Sequence, residues 1–385
     1  MIAGGGTGGH VVPSLEIARA LVTGGRPSTS IEFIGSRRGQ EAALWPTLEF
    51  PFTLLPGRGI RRSIRPGALW DNAGALLGLL GATAASVISF VARRPRVSVM
   101  VGGYASFPAG IAALVTRVPI VIVTTDAVPG AVNALFGRFA AANAVAFDGT
   151  GLPRPVVTGT PVRPELAAID RSPSGRREAK EMLGLSTGRR TLAAFGGSLG
   201  SRRINAAVAE LAARWSGCRE FSVYQVTGRR DYGQFALPSN VDAEASDAEA
   251  SDAEASAASD SGGLEYRVVP FEDRMPLLYR AADLFICRAG AMTVAELLVC
   301  GVPAILVPLP GAPRDHQTRN AHALVEAGAA IAVPDAECTP ERLQAELTAL
   351  LSDDDRLAAM GAAARRLGHP DAAANVAELI EAHAR

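Results

Sequence analysis

Four apolar runs in this 385-residue sequence are each followed, within three residues, by a glycine loop and then by a helical pattern. The loops begin at Gly4, Gly102, Gly196 and Gly290. A strand, a glycine loop and a helix in that order direct free backbone N–H groups and the positive end of a helix to one point, which suits a phosphate or diphosphate. The alternative is that each glycine only permits a tight turn between strand and helix.

Further apolar runs alternate with helical patterns along both halves of the chain. This alternation predicts an α/β fold with parallel, doubly wound sheets, in which ligands bind beyond the C-terminal ends of the strands. Only three residues precede the first glycine loop, so we expect the first strand to begin upstream of Met1. The remaining predicted strands are 31–35, 97–101, 120–124, 191–195, 221–226, 264–270, 284–287 and 304–307.

The length of the chain predicts two domains, because a single core rarely extends over so many residues. We place an N-terminal domain at residues 1–159, a linker rich in proline and charge at 160–175, a second domain at 176–369 and a terminal helix at 370–385. Residues 240–263 contain three tandem copies of an acidic pentapeptide. These copies have too little bulky apolar surface to pack, so we interpret this segment as a disordered insertion.

The composition excludes several classes of protein. Basic and acidic residues number 38 each, so no overall field attracts nucleic acid, and we expect no nucleic-acid partner. The four cysteines lack the spacing of a metal site or of a disulfide framework, which fits a reducing cytoplasm. The His and Asp spacings suggest no metal either, and we expect no cofactor. The first residues lack the basic and apolar regions of a signal peptide.

No charged residue occurs between Ala73 and Ala92, a length that could span a bilayer. Small and hydroxyl residues dilute this run, and an α/β chain needs crossover helices, so we interpret it as a crossover helix and reject a transmembrane span. A helix that touches the membrane beside Arg58, Arg61, Arg62 and Arg65 is the intermediate alternative.

Three polar residues are candidates for binding or catalysis. His10 begins a helix, where the helix dipole disfavours imidazolium and leaves a neutral base, although it could instead only bond a neighbouring loop. Glu296 completes the capping-box pattern Thr293-x-x-Glu296, or it accepts from two sugar hydroxyls, and the two roles are compatible. Gln317 has the amide donors and acceptor that read sugar hydroxyls.

Together these motifs resemble the MurG glycosyltransferase family. The resemblance covers nearly the whole chain and rests on residues 5–10, 102–110, 157–163, 196–198, 288–296 and 315–321. It implies a GT-B fold, in which two Rossmann-like domains face each other across a cleft and the second holds most of the UDP-N-acetylglucosamine. The implied diphosphate leaving group depends on helix ends and loop N–H groups without Mg²⁺.

The resemblance also implies the reaction and its cellular setting. N-acetylglucosamine passes, with inversion from α to β, to the muramyl O4 of undecaprenyl-diphosphate-linked N-acetylmuramoyl-pentapeptide (lipid I), which gives lipid II for peptidoglycan synthesis. The enzyme is then peripheral on the inner face of the cell membrane, and cell-division and cell-wall enzymes are its implied partners.

The same resemblance assigns roles to single residues. His10 takes the proton of the acceptor, and Thr7, Gly8 and Gly9 face the donor sugar and the acceptor. Glu296 binds the ribose, and Gln317 holds the transferred sugar. The other implied nucleotide and diphosphate contacts are Ala291, Met292, Thr293, Val294, Ala295 and Ser198, with Arg163 from the segment between the domains and the backbone of Glu272 at the uracil.

One segment departs from the family pattern. Family members usually carry His-Glu-Gln-Asn before the sequence Ala-Val-Pro-Gly, whereas this chain has Val123-Thr124-Thr125-Asp126. The acceptor-side His and Glu are absent, and Asp126 replaces the Asn as the candidate acceptor contact. Two alternatives follow: a related transferase with a different acceptor, or a non-catalytic scaffold that binds nucleotide-sugar or division proteins.

Overall fold

The computed structural model describes residues 1–56, 66–197, 199–235 and 263–384, and for residues 66–74 it describes the backbone alone. The chain divides into a first unit, residues 1–163 with 369–385, and a second unit, residues 164–368. The acidic insertion interpreted as disordered, 240–263, lies outside the described residues except for Gly263. Ser198 and the arginines at 58, 61, 62 and 65 also lie outside them.

The first unit is built on a seven-stranded sheet in which every pairing is parallel. Its strand order is β3-β2-β1-β4-β5-β6-β7, so the direction of winding reverses between β1 and β4. In sheets of this kind, ligands bind at the C-terminal edge beside such a reversal. The strands are β1 (Ile2–Gly4), β2 (Phe33–Ser36), β3 (Phe52–Leu55), β4 (Ser98–Gly102), β5 (Ile120–Thr124), β6 (Ala142–Val145) and β7 (Pro155–Val157).

Helices cover both faces of this sheet and bury its branched side chains. One face packs Phe33, Val99 and Val121 under Leu15 and Ile17 of the first helix. The other face packs Ile34, Met100 and other apolar side chains under the third and fourth helices. The helices are α1 (Gly8–Thr23), α2 (Glu41–Leu44), α3 (Pro66–Arg93), α4 (Ser106–Thr116) and α5 (Ala131–Phe136).

The second unit contains a six-stranded sheet that is also entirely parallel. Its order is β10-β9-β8-β11-β12-β13, and the winding reverses between β8 and β11. The strands are β8 (Arg190–Phe195), β9 (Phe221–Val226), β10 (Glu265–Val269), β11 (Leu284–Cys287), β12 (Ala304–Leu306) and β13 (Ala330–Ala332).

The helices of the second unit bury apolar stripes against this sheet. Ile204 and Val208 pack with Leu343 and Leu347 in the core that covers one face. The helices are α6 (Pro164–Ala167), α7 (Pro173–Met182), α8 (Arg202–Arg214), α9 (Tyr232–Phe235), α10 (Met275–Ala281), α11 (Ala291–Cys300), α12 (His316–Glu326), α13 (Pro340–Leu351) and α14 (Asp354–Leu367).

The last helix, α15 (Ala372–His383), returns to the first unit. Its Val376, Ala377 and Ile380 join the core formed by Leu15 and Leu21 of α1. The segment 160–175, interpreted from sequence as a linker, contains α6 and the start of α7, and the two units meet in the chain at Arg163 and Pro164.

Helix α3 is the one helix in the described part of the chain that is long and apolar enough to cross a bilayer, over Ala75–Arg93. It connects the parallel strands β3 and β4 of one sheet and packs on α4, as a crossover helix does. Its buried side chains include Ala75, Ala82 and Phe90. Only 22% of the apolar segment is buried, so much of its apolar surface faces outward.

Candidate active site

His10 lies in the first turn of α1, at the C-terminal edge of β1. Its Nδ1 is 3.1 Å from the carbonyl oxygen of Gly5 and 3.5 Å from the hydroxyl of Thr7. A carbonyl oxygen accepts only, so the bond to Gly5 requires a proton on Nδ1. The neutral ring then has its basic lone pair on Nε2. The two interpretations of His10, a base and a residue that bonds the neighbouring loop, are therefore compatible.

The β4–α4 loop packs directly against this histidine. A Cβ atom on Gly102 would lie 2.7 Å from Nε2 of His10, and one on Gly103 would lie 2.2 Å from the carbonyl oxygen of Gly5. Both glycines have positive φ, 130° and 83°. The alternative that these glycines serve the turn alone is thus incomplete, because their missing side chains also leave room for the ring and its supporting carbonyl.

A buried carboxylate that the sequence analysis missed supports the first glycine loop. Glu41, at the start of α2, is 0% exposed. Its Oε2 accepts from the N–H of Gly6 at 2.7 Å, and its Oε1 accepts from the N–H of Ser36 at 2.8 Å. The sequence signal was a carboxylate shortly after a predicted strand and two residues after Gly39, but such a pattern is common in ordinary turns.

The segment that departs from the family pattern ends β5. Val123, Thr124 and Thr125 are at most 4% exposed, and only Asp126 is half-buried. Asn133 of α5 donates to the carbonyl oxygen of Val123 at 3.0 Å and to the Thr124 hydroxyl at 3.2 Å. Polar recognition from this strand end therefore falls to Asp126.

In the second unit, α11 begins at the reversal between β8 and β11. Its N-cap is Gly290, and no side chain among the described residues caps it. The first N–H groups of a helix have no partner within the helix, so they are available to an anion. Ala291, Met292 and Thr293 form this first turn and are half-buried, whereas Val294 and Ala295 are buried.

Glu296 does not complete a capping box, so that alternative is wrong. Thr293 is the third residue of α11 and not its N-cap, because the helix begins at Ala291. Glu296 instead accepts a hydrogen bond from the hydroxyl of Tyr279 at 2.8 Å. Burial and the nearby carboxylate hold the pKa of Tyr279 well above its usual value, so the phenol stays a donor. Sequence reasoning missed Tyr279, which looked like an ordinary core residue of α10.

Arg288 and Asn320 fix the loop before α11. Arg288 is 9% exposed, and its guanidinium donates to the carbonyl oxygens of Val307 and Pro308 and to the hydroxyl of Ser201. Asn320, in α12, is 0% exposed and donates to the carbonyl oxygen of Ala289 at 3.0 Å. The loop is thus tied to three neighbouring segments.

Gln317 lies in the first turn of α12, and its Oε1 accepts from the N–H of Leu309 at 2.9 Å. This bond orients the side-chain amide. Arg314 and Asp315, just before the helix, both have left-handed backbone, with φ of 57° and 54°. Consecutive residues of this kind are strained, and such strain is concentrated at ligand-binding loops.

Glu272 and Arg163 are further sequence candidates, and the hydrogen bonds of the described residues connect neither of them to His10, Glu296 or Gln317. The carboxylate of Glu272 is 7% exposed and accepts from the Tyr224 hydroxyl and from the N–H of Arg274. It is therefore a structural side chain, which leaves its backbone for recognition. Arg163 is half-buried at the end of the first unit.

A cavity of about 530 Å³ lies at the opposite edge of the first sheet, where the strands begin. It is lined by Arg26, Glu32, Arg93 and other residues. Doubly wound sheets bind ligands at the C-terminal edge of the strands, so we place the site at the glycine loops and not in this cavity. Within the described part of the chain, no group of three or more His, Cys, Asp or Glu side chains could hold a metal ion.

Comparison with known proteins identifies the family. The glycosyltransferase family 28 N-terminal domain matches residues 1–145, and its C-terminal domain matches residues 191–376. Two relatives, from Alkalilimnicola ehrlichii and Desulforudis audaxviator, are both named UDP-N-acetylglucosamine-N-acetylmuramyl-(pentapeptide) pyrophosphoryl-undecaprenol N-acetylglucosamine transferase. The first is 38% identical over 100% of this chain and 99% of its own length, and the second is 34% identical over 99% and 97%.

The fold comparison agrees. The crystal structure of Acinetobacter baumannii MurG is similar with a TM-score of 0.74 and 26% identity, over 99% of this chain and 98% of that one. The expected GT-B fold is therefore confirmed, with one parallel sheet in each unit. The chain belongs to glycosyltransferase family 28 and, within it, to the MurG family of N-acetylglucosaminyltransferases.

Proposed function

We propose that this enzyme transfers N-acetylglucosamine from UDP-N-acetylglucosamine to the muramyl O4 of lipid I, which gives lipid II for peptidoglycan synthesis. The observation that carries the proposal is the likeness, over 99% or more of the chain, to transferases whose names state this donor sugar and this acceptor. The two glycine-loop sites, one at the sheet reversal of each unit, agree with it.

We assign the donor to the second unit. The uncapped N-terminus of α11, Ala291 to Glu296, receives the diphosphate, where the helix dipole and free N–H groups favour negative charge. Glu296, held by Tyr279, accepts from the ribose hydroxyls. Gln317 donates its amide to the transferred sugar, and the backbone at Glu272 reads the uracil. Ser198 and Arg163 are further proposed contacts to the diphosphate or nucleoside.

We assign the acceptor and the general base to the first unit, with Thr7, Gly8, Gly9 and Asp126 as acceptor-side contacts. Nε2 of His10 takes the proton of the attacking O4. The bond between O4 and the anomeric carbon forms as the bond from that carbon to the diphosphate oxygen breaks, so configuration inverts and UDP leaves with both electrons. Fixed N–H groups at α11 stabilise the charge that develops on the leaving oxygen.

The test is a transfer assay with labelled UDP-N-acetylglucosamine and a soluble lipid I analogue, with and without EDTA. We expect transfer in both conditions, because the proposed diphosphate site consists of N–H groups. Loss of transfer with EDTA would contradict the metal-free site, and an absence of both transfer and donor hydrolysis would favour the non-catalytic scaffold.

A second candidate function is the same transfer to a different acceptor. The observation that favours it is the burial of Val123, Thr124 and Thr125, which leaves Asp126 as the polar group at a strand end where the family has His and Glu. Donor hydrolysis, or transfer to another muramyl or lipid-linked sugar but not to the lipid I analogue, would support this candidate.

We also propose that the enzyme works at the inner face of the cell membrane and meets it through α3. Exposed apolar side chains follow one face of that helix, with Leu77 at 72%, Leu80 at 60%, Ile88 at 70% and Val91 at 59% exposure. Apolar side chains on one face of a helix favour insertion at the interface of a bilayer. Arg94 lies immediately after the helix, where a positive charge favours an anionic surface.

Cell-wall and cell-division enzymes are the protein partners that we propose. The support is the chemistry of the product, since a lipid-linked sugar stays in the membrane and has to be passed on there. Co-purification of the tagged enzyme with such partners from membranes is the test, and a variant with a polar α3 face serves as the control.

A further inference from the structure

One peptide group joins Glu41 to His10. The N–H of Gly6 donates to Oε2 of Glu41 at 2.7 Å, and the carbonyl oxygen of Gly5 lies 3.1 Å from Nδ1 of His10. That N–H and that carbonyl belong to the same amide, and in a trans peptide they point in opposite directions. A carboxylate, an amide and an imidazole are therefore connected in series.

The negative charge of Glu41 polarises this series of hydrogen bonds in the direction of His10. A hydrogen bond from an N–H to a carboxylate is charge-assisted and polarises the amide, which makes the carbonyl at its other end a stronger acceptor. A stronger acceptor at Nδ1 favours the tautomer with the proton on Nδ1 and stabilises the imidazolium that forms when Nε2 takes a proton. Both effects help a general base.

The carboxylate of Glu41 is held in place on several sides. It is 0% exposed, and its second oxygen accepts from the N–H of Ser36. A Cβ atom on Gly5 or on Gly39 would lie within 2.2 Å of a carboxylate oxygen, so both glycines let the backbone close around it. Replacing the charge therefore alters the hydrogen bond that holds the loop carrying His10.

Three other titratable groups on the elements around α1 have partners away from His10. Glu16 pairs with Arg19 inside α1, and Glu381 of α15 pairs with Arg26 beyond the end of that helix. Tyr104, in the β4–α4 loop, donates to the carbonyl oxygen of Pro56. Glu41 is connected to His10 through the two hydrogen bonds of the Gly5–Gly6 peptide.

We propose that Glu41 is a positioning residue for His10, and that its carboxylate acts through the Gly5–Gly6 peptide to keep Nδ1 protonated and Nε2 basic. This inference rests on the proposed role of His10 as the base. Glu41 touches no reacting atom, so its effect belongs to kcat and to the pH profile, and not to donor binding.

The principal test compares Glu41→Gln with Glu32→Gln. Glu32 is a matched control because it is also buried, with 6% of its surface exposed. It lies just before β2, whereas Glu41 follows β2, so the two carboxylates lie at opposite edges of the sheet. We expect Glu41→Gln to lower kcat roughly 10- to 100-fold with an unchanged donor KM. We expect the acidic limb of the kcat profile to move to lower pH by roughly one unit, because an imidazolium with less negative charge nearby is more acidic.

Glu32→Gln should lower Tm but leave the pH profile unchanged. Glu41→Asp keeps the charge, so its acidic limb should stay near that of the wild type even where kcat falls. If Glu41→Gln changes Tm alone, with wild-type kcat per folded molecule and a wild-type pH profile, Glu41 is only structural and the inference is wrong.

A double-mutant cycle separates this inference from the proposed function. If His10→Ala retains wild-type turnover, His10 is not the base and both ideas are overturned. If His10→Ala loses activity, the double variant with Glu41→Gln should have a kcat no lower than that of His10→Ala. Glu41 is proposed to act only through His10, so its replacement has no further effect once the imidazole is gone. If the two losses in kcat multiply in the double variant, the proposed role of Glu41 is wrong, while the role of His10 is unaffected.

A measurement on the wild-type protein removes the dependence on the folding of variants. In protein labelled with ¹⁵N-histidine, the neutral His10 ring, identified by the signal lost in His10→Ala, should show a protonated Nδ1 and an unprotonated Nε2. A protonated Nε2 in the neutral ring contradicts the proposed connection.

Discussion

A Cβ atom on Gly102 would lie 2.7 Å from Nε2 of His10, closer than side-chain atoms pack. The glycine loop after β4 therefore sets the place of the imidazole as well as the path of its own backbone. Gly102 has a φ of 130°, a backbone conformation that residues other than glycine avoid. A change at Gly102 thus acts on the proposed base without removing any side chain.

Gly102→Ala should lower kcat by roughly 10- to 100-fold, because displacement of a catalytic group by about 1 Å has effects of that size. Gly149→Ala is the matched control, since Gly149 also has positive φ, 76°, but no atom within 4 Å of its Cβ position. Gly149→Ala should lower Tm as Gly102→Ala does, but its kcat should equal that of the wild type. Equal kcat values for the two variants would contradict the contact.

His10→Ala should lower kcat by ~10²–10⁴, the usual contribution of a general base, with donor affinity mostly retained. The donor is assigned to the second unit, so calorimetric binding of UDP-N-acetylglucosamine should be close to that of the wild type. His316→Ala is the control, because His316 bonds the carbonyl oxygen of Pro313 within its own turn. Unchanged turnover in His10→Ala would remove its role as the base.

Tyr279→Phe should weaken donor binding through Glu296. The phenol donates to Oε2 of Glu296 at 2.8 Å, and loss of one such bond costs about 1 kcal/mol, which is roughly fivefold in Kd. Tyr266→Phe is the control, because Tyr266 donates to Gln225 in the same unit. It should lose stability with an unchanged donor Kd, and the same Kd in both variants would argue against Glu296 as a donor contact.

Asp231 should make the second unit sensitive to acid. Hydrogen bonds from Arg230 and Arg202 lower the pKa of its buried carboxyl to about 2, against about 3.9 in an unfolded chain. A lowered pKa in the folded state stabilises the fold above pH ~4, and this contribution is lost as the pH falls towards 2. Asp231→Asn should therefore be less stable at pH 7, and the difference from the wild type should shrink between pH 4 and 2 in urea unfolding.

The sequence predicted the strands with long apolar runs and the order of strand, loop and helix, and the structure confirms them. It did not predict β3, β6, β7 or β13, which are only three or four residues long. Runs this short are within the range of ordinary loops, and only their pairing in the sheet identifies them. The packing of α15 on α1 was also missed, because an apolar stripe on a helix does not indicate which other element it packs against.

For the site, glycine loops and a helix end were predictable from local sequence, since they depend on backbone geometry. Glu41 and Tyr279 were not, because each acts through a contact with a residue at least 17 positions away. The capping-box interpretation of Glu296 failed because the N-cap is Gly290, three residues before Thr293, so Thr293 lies inside α11. A short motif such as Thr-x-x-Glu is compatible with a capping role, but the residue at which the helix begins decides whether its side chains cap the helix or are available for other contacts.

Leu77→Glu combined with Ile88→Glu should weaken binding to membranes. Both side chains are at least 70% exposed on α3, so charges there should leave the fold intact and oppose insertion into a bilayer. Met182→Glu, at a 53% exposed position of α7 in the second unit, is the control. In sedimentation with anionic vesicles, the α3 variant should stay in the supernatant while the wild type and the control pellet, and all three should turn over a soluble acceptor equally. Vesicle binding that is unchanged in the α3 variant would assign membrane contact to another surface.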